Sequence, residues 1–339
     1  MKGRARGALL GLAVGDALGT TYEFDVIDQA AYPALATGPA DDIAGGGPFG
    51  LVAGPVTDDT QLAVCLATSL AACGRLDVDD LAARYVAWSE HAFDIGNQTY
   101  AAIRRLKSGV PPAQAGLDVW RASGREAAGN GSLMRTAPIA VAGAGARDDQ
   151  IVRDAIADSL ITHADPRCAL ACAAFDVAIA AAIRARRSGT ELVEVARTAL
   201  DAGAAQLADA WDGDDRATLG PAVADLVADL DAALADEPGV YGDALHMHAT
   251  AGFVRVAFRI AFWHAVHTPA WRDAVVDVAS RGGDADTNTA IVGALLGARD
   301  GIDAIPAAWR ERVLAVTQPG PPAWADAHHP KHLLALCER

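Results

Sequence analysis

The sequence predicts an all-α protein, and three observations carry that prediction. Ala-rich segments with apolar residues at helical intervals recur along the 339 residues. Alternating runs of β-branched residues, the mark of half-buried strands, are scarce. Aromatic residues make up only 6% of the chain, so small side chains must fill the core, which suits closely packed helices.

The elements follow in order. DDTQLAVCLATSLAACG (58–74) reads as a helix stopped by Gly74, since glycine readily takes the left-handed conformation that closes a helix. VDDLAARYVAWSEH (78–91) sets a capping-type pair, Asp79 and Asp80, before apolar positions at helical spacing. A short helix is expected from about Asn97. DPRCALACAAFDVAIAAAIRARRSG (165–189) reads as a long helix with Pro166 in its first turn, a basic last turn and a glycine stop. Segments 189–211, 220–236, 250–266 and 286–301 follow the same logic. No Pro/Gly/Ser-rich linker divides the chain, so one domain over 1–339 is expected, with GGGPFG (45–50) and QPGPPAW (318–324) as loops. GGGPFG formally matches a dinucleotide-binding turn, but it lacks the preceding strand and following helix that such a turn needs.

Charge narrows the function classes. The formal net charge is −15, and no long Lys/Arg run offsets it, so a nucleic-acid partner is not expected. Five cysteines form no CxxC pair, which fits reduced thiols in a cytosol; Cys168 and Cys172 share a helix face without the ligands of a zinc site. The N-terminal stretch MKGRARGALLGLAVGDALG starts basic and turns apolar. Asp16 interrupts it before any small-residue cleavage site, so it does not read as a signal peptide. No uninterrupted apolar run approaches the ~18 residues of a membrane span. The expectation is a cytoplasmic monomer with no membrane partner.

The chemistry lies in two acidic helix starts. PVTDDTQL sets Thr57, Asp58, Asp59 and Thr60 side by side before an apolar helix. SRGGDADTNTAIVGALLGA repeats the pattern roughly two hundred residues later, with Asp284, Asp286 and Thr287. Capping accounts for one oxygen at each start, because the free N–H groups and the helix dipole favour an acceptor there. It does not account for the second and third acids. Mg²⁺ and Mn²⁺ take about six hard oxygen ligands, and a two-metal site would use such clusters. On spacing alone, double capping and metal binding both stand.

Six segments occur in an order that resembles the ADP-ribosylglycohydrolase family: GDALGTTYEF, VTDDTQLAVCLA, DIGNQT, GNGSLMR, THADPR and SRGGDADTNTAIVGALLGA. They span Gly15 to about Ala298. The resemblance implies an all-α orthogonal bundle forming a single domain, with two divalent cations, Mg²⁺ or Mn²⁺. Thr57, Asp58 and Asp59 would hold them from one side, and Asp284, Asp286 and Thr287 from the other. Ala285 stands where many relatives carry Thr, but it is not a ligand position.

The same resemblance implies the other roles. Glu23 would be a catalytic group at the metal site, the base in relatives that cleave serine-linked ADP-ribose, and Asp94 of DIGN would be the base or substrate-activating acid of the arginine-acting branch; otherwise they read as a loop Glu and an N-cap. Gly96, Asn97, Gly129, Asn130, Gly131, Ser132 and Met134 would line an ADP-ribose cleft. The glycine amides of GNGSLMR, read as near a helix start, would suit a pyrophosphate. His163 would approach ribose or phosphate, and Phe253 would stack on adenine; both otherwise read as core residues. His246 and His248 are assigned to surface or core. The expected partner is an ADP-ribosylated protein, and the expected reaction is metal-dependent cleavage of the N-glycosidic bond to arginine. Hydrolysis of O-linked ADP-ribose and a non-catalytic scaffold are the alternatives.

Overall fold

A computed structural model describes residues 1–338. The α-helices are α1 (Lys2–Gly19), α2 (Asp58–Cys73), α3 (Val78–Trp88), α4 (Asn97–Lys107), α5 (Pro112–Ala122), α6 (Ala137–Ala142), α7 (Asp148–Thr162) and α8 (Pro166–Ala185). They continue as α9 (Thr190–Ala210), α10 (Gly213–Ala217), α11 (Leu219–Ala232), α12 (Val254–His267), α13 (Trp271–Ser280), α14 (Ala285–Asp300), α15 (Ala307–Ala315) and α16 (Pro322–Ala327). Among the described residues there is no strand, only isolated bridges between loops. The all-α expectation holds.

The start and stop signals hold in part. Gly74 closes α2 at φ 69°, as expected. The cap of α3 is Asp77, whose side chain accepts from the Asp80 amide, so the Asp79–Asp80 pair lies inside the first turn. Pro166 opens α8, but α8 ends at Arg186, in the left-handed conformation, before Gly189 is reached. One helix, α8, is long and apolar enough by length and composition to cross a membrane, and 89% of its apolar window is buried within the fold. It is a core helix. Its interrupting acid, Asp176, is buried and accepts from Thr136 Oγ1 at 2.6 Å.

The N-terminal stretch forms α1, which the sequence reading left unassigned as a helix. From Gly7 to Gly19 it is buried. Gly7, Gly11, Gly15 and Gly19 recur every fourth residue and face α14. A Cβ added at these positions would meet Gly297 O at 2.2 Å, Gly293 O at 2.1 Å, Thr289 O at 2.3 Å and Ala285 O at 2.3 Å. The two helices therefore touch backbone to backbone along four turns, closer than any side chain allows. That contact sets the end of α1 beside the start of α14.

Candidate active site

The two acidic helix starts converge. Neither Thr57 nor Asp284, the N-caps of α2 and α14, makes a side-chain capping hydrogen bond. The capping explanation therefore fails at both N-cap positions. Asp16, from α1, caps α2 instead. Its fully buried carboxylate accepts from Thr57 N and Thr57 Oγ1 at 3.1 and 3.0 Å, and from Thr60 N and Thr60 Oγ1 at 3.2 and 2.5 Å. With α2 capped by another helix, its own acids are free to face α14.

Asp59 Oδ2 takes the Thr57 hydroxyl at 3.1 Å and the Thr287 hydroxyl at 3.3 Å, which joins the two starts. Asp59 Oδ1 and Glu23 Oε2 are buried with no hydrogen-bond partner. Carboxylate oxygens of Glu23, Asp94 and Asp286 lie within 4.8 Å of one another. Thus Glu23 and Asp94, expected as catalytic groups, share a centre with Asp286, expected as a ligand. Unpartnered buried carboxylate oxygens are costly unless a cation or proton satisfies them. The donor set, all carboxylate and hydroxyl oxygen, suits a hard divalent cation.

The electrostatics agree. Burial pushes Glu23 up to about 9, with Asp94, Asp284 and Asp16 adding to the rise. Burial likewise raises Asp94 to about 6, and Asp16 to about 6 against its hydrogen bonds from Thr60 and Thr57. Asp58, Asp59 and Asp286 are held well above the usual carboxylate range, by burial first and then by neighbouring acids. The charges that act most on this cluster are its own.

Backbone pairing positions the walls. Phe24 N donates to Gly283 O at 2.7 Å, and Gly283 N donates to Asp25 O at 2.8 Å, which fixes Glu23 over the start of α14. A Cβ on Gly282 would meet Asp25 O at 2.2 Å, so this pairing needs glycine there. Asn130 N donates to Gly252 O at 2.9 Å, and Asn130 Nδ2 donates to Asp284 Oδ2 at 2.7 Å. Gly129 N donates to Gln98 Oε1 at 3.2 Å, joining the start of α4 to the GNG turn.

These walls enclose a cavity of about 470 Å³. Of the expected residues, Glu23, Asp58, Asp94, Gly96, Asn97, Gly129, Asn130, Gly131, Met134, His163, Asp284, Asp286 and Thr287 line it. Thr57 and Asp59 lie just behind, buried against Asp16 and Thr287. His163 is buried, and burial holds its imidazole neutral, with Arg135 adding to the effect. Its ring packs against Gly131, where an added Cβ would come within 2.8 Å of His163 Cε1.

Two expected binding residues are corrected. Ser132 does not face the cavity; it is fully buried and accepts from Ser159 Oγ at 2.9 Å, behind the wall. Phe253 does not line it either. Its half-buried ring packs on the core beneath the Arg167 guanidinium, 5.4 Å away, while its neighbours Ala251 and Gly252 form the wall. Nor does GNGSLMR lead straight into a helix: Gly131–Arg135 form consecutive turns, and α6 begins only at Ala137. Arg135, buried against Asp158, ties that turn down. His246 and His248 are half-buried and hydrogen-bonded within their own loop and to Arg281 O, as assigned.

The reading missed Phe24, Ile95, Gln98 and Thr99 on the cavity wall, and Asp16 beneath it. Asp16 had a signal: a single charge inside an otherwise apolar helix is costly unless it has several donors. Asp16→Asn keeps the shape but leaves fewer acceptor sites for the buried donors around it. It is expected to cost about 1–3 kcal/mol in thermal unfolding. It is also expected to weaken divalent-cation binding about 10–100-fold by calorimetry, as loss of a ligand-orienting partner does.

The fold sets a buried acidic cleft suited to hard cations at the meeting of two helix starts, and comparison gives the family. A family model described as ADP-ribosylglycohydrolase matches residues 1–336, and the chain belongs to that family. It is 31% identical over 325 residues to ADP-ribosylarginine hydrolase Tri1 of Pseudomonas putida (strain GB-1), covering 91% of this chain and 74% of that protein. It is 30% identical over 322 residues to the ADP-ribosyl-[dinitrogen reductase] glycohydrolase of Rhodospirillum rubrum, covering 91% and 90%. A solved structure titled ADP-ribosylglycohydrolase-related protein complex superposes with a TM-score of 0.67 at 26% identity, over 99% of this chain and 98% of that one. The protein is a glycohydrolase.

Proposed function

We propose that this protein removes mono-ADP-ribose from arginine side chains of proteins by cleaving the N-glycosidic bond, using two divalent cations, Mg²⁺ or Mn²⁺. One observation supports the cation requirement most directly. Five buried acids, Asp16, Glu23, Asp58, Asp59 and Asp286, with half-buried Asp94 and Asp284 at their edge, gather at the starts of α2 and α14, and two of their oxygens lack any partner. Thr57, Asp58, Asp59, Asp284, Asp286 and Thr287 would hold the ions, with Glu23 beside them. When bound, such ions orient the ribose hydroxyls and withdraw electron density from the sugar. The arginine linkage is supported by the DIGN segment and by the likeness to an ADP-ribosylarginine hydrolase.

The chain's own residues do the rest. The glycine-bearing walls at Gly96, Gly129 and Gly131, with Asn97 and Asn130, enclose the ADP-ribose. Asp94, with its pKa near 6, takes a proton from the attacking water at neutral pH. The water oxygen bonds to the anomeric carbon as the carbon–nitrogen bond breaks through an oxocarbenium-like state. The departing guanidine takes up the proton released by the water and leaves as a cation.

Release of free ADP-ribose from a mono-ADP-ribosylated arginine protein tests this, with Mg²⁺, with Mn²⁺ and with chelator. Either ion is expected to support release and chelator to stop it. Asp94→Asn is expected to keep the cation, by metal analysis, and to lower turnover about 10²–10⁴-fold, the usual worth of a general base. Unchanged turnover would remove Asp94 from the mechanism. Equal or faster release from serine-linked substrate run in parallel would favour the O-linked reading.

A further inference from the structure

We propose that Phe24 is the specificity residue for the leaving group: its ring is the face on which the departing arginine guanidinium lies. The inference deepens the arginine reading above and rests on it.

Phe24 follows Glu23 directly and lines the cavity. Phe24 is 67% exposed, whereas the other phenylalanines are buried or half-buried. Its φ is +64°, a left-handed conformation that side chains other than Gly, Asn and Asp rarely adopt. Nothing in the turn requires phenylalanine. The backbone bonds to Gly283 and from Asp25 to Tyr22 O would form equally well with glycine or asparagine. An aromatic ring held in an unfavourable conformation and turned away from the core contributes nothing evident to folding. Outliers of this kind gather at binding sites.

The chemistry of the surroundings selects the ligand. Phe24 shares the cavity lining with Glu23, Asp94 and Asp286, whose carboxylate oxygens cluster within 4.8 Å of one another, and Asp25, next in sequence, is exposed. A π face next to carboxylates attracts a planar, weakly hydrated cation more than any neutral group. The guanidinium of an ADP-ribosylated arginine emerges at the acidic end of the cavity if the anomeric carbon sits among these acids. A serine hydroxyl leaving from the same point offers neither charge nor a plane. Phe24 therefore favours arginine-linked over O-linked ADP-ribose.

Binding separates this from the proposed activity. In an Asp94→Asn background, affinities for an ADP-ribosyl-arginine peptide and for free ADP-ribose are compared by calorimetry, with and without Phe24→Ala. The ratio of the two affinities reads the contribution of the arginine. Phe24→Ala is expected to lower the peptide affinity about five- to tenfold, to leave free ADP-ribose affinity within twofold, and to be rescued by Phe24→Trp. Phe24→Gly, which accepts the positive φ, is expected to melt no lower than wild type and to bind like Phe24→Ala. Equal affinity of wild-type Phe24 protein for peptide and free ADP-ribose would overturn the proposal. So would an equal loss for both ligands in Phe24→Ala. If the arginine contribution is present and Phe24-dependent but the fully wild-type chain releases no ADP-ribose from arginine, the proposed activity fails and the role of Phe24 stands.

Discussion

Asp286→Ala is expected to lose divalent cation and catalysis together, to keep its fold, and to melt higher than wild type after chelator treatment at pH 8. Asp286 is 2% exposed, and its largest neighbours in charge are Asp59 and Glu23. Where a cation binds, its carboxylate is a ligand; losing it removes several kcal/mol of transition-state stabilisation, about a thousandfold in rate. Where no cation binds, the same group is a buried acid among acids, and deleting it relieves desolvation and repulsion. The backbone hydrogen bond lost, from Thr287 N at 2.8 Å, is worth about 1 kcal/mol.

The pH dependence has a definite sign. The folded protein holds the Glu23 proton up to about 9, while the unfolded chain releases it near the usual 4.5. Stability of chelator-treated protein therefore falls as pH rises from about 4.5 to about 9 and levels off above. Asp286 acts in the same sense, so Asp286→Ala makes that slope shallower. Added Mg²⁺ raises the wild-type melting point most at the alkaline end. Thermal melts across this window, with metal analysis and ADP-ribose release, check each part. A variant that unfolds would make Asp286 a structural residue of the α14 start.

Gly15→Ala is expected to be among the most destabilising single substitutions in the chain, although it adds one methyl group. The new Cβ would sit 2.3 Å from Thr289 O and 2.7 Å from Thr289 C, both backbone atoms of α14. A side chain could rotate away, but a helix backbone cannot. Overpacking a core costs about 1–3 kcal/mol, and this obstacle places the cost at the top of that range or beyond. Gly3→Ala is the internal control: it lies in the same helix with nothing within 4 Å, and should change stability by no more than about 1 kcal/mol. Activity should fall with Gly15→Ala even at temperatures where the variant remains folded. Asp16 is the next residue, so pushing α1 off α14 carries the cap of α2 away from the start of α14. Equal melting of the two variants would show that α1 and α14 do not depend on this contact.

What could be read without coordinates was local. Helix spacing identified most of the long helices, and Gly74 and Pro166 marked their ends, because caps and breakers act within one turn. The acids at 58, 59, 284 and 286 stood out because a helix start has use for one capping oxygen and these had more. Six ordered segments were enough to name the family. Ser132 and Phe253 were misplaced on the cleft because spacing does not say which side of a turn faces a cavity. Asp16 was passed over because its donors lie 41 and 44 residues away. Only the tertiary structure decided that the two acidic starts meet, that Asp16 frees α2's own acids by capping it, and that Glu23 and Asp94 close on Asp286. The physical reason is the approach of α1 to α14 at glycine distance, together with burial that leaves those carboxylates facing one another away from water.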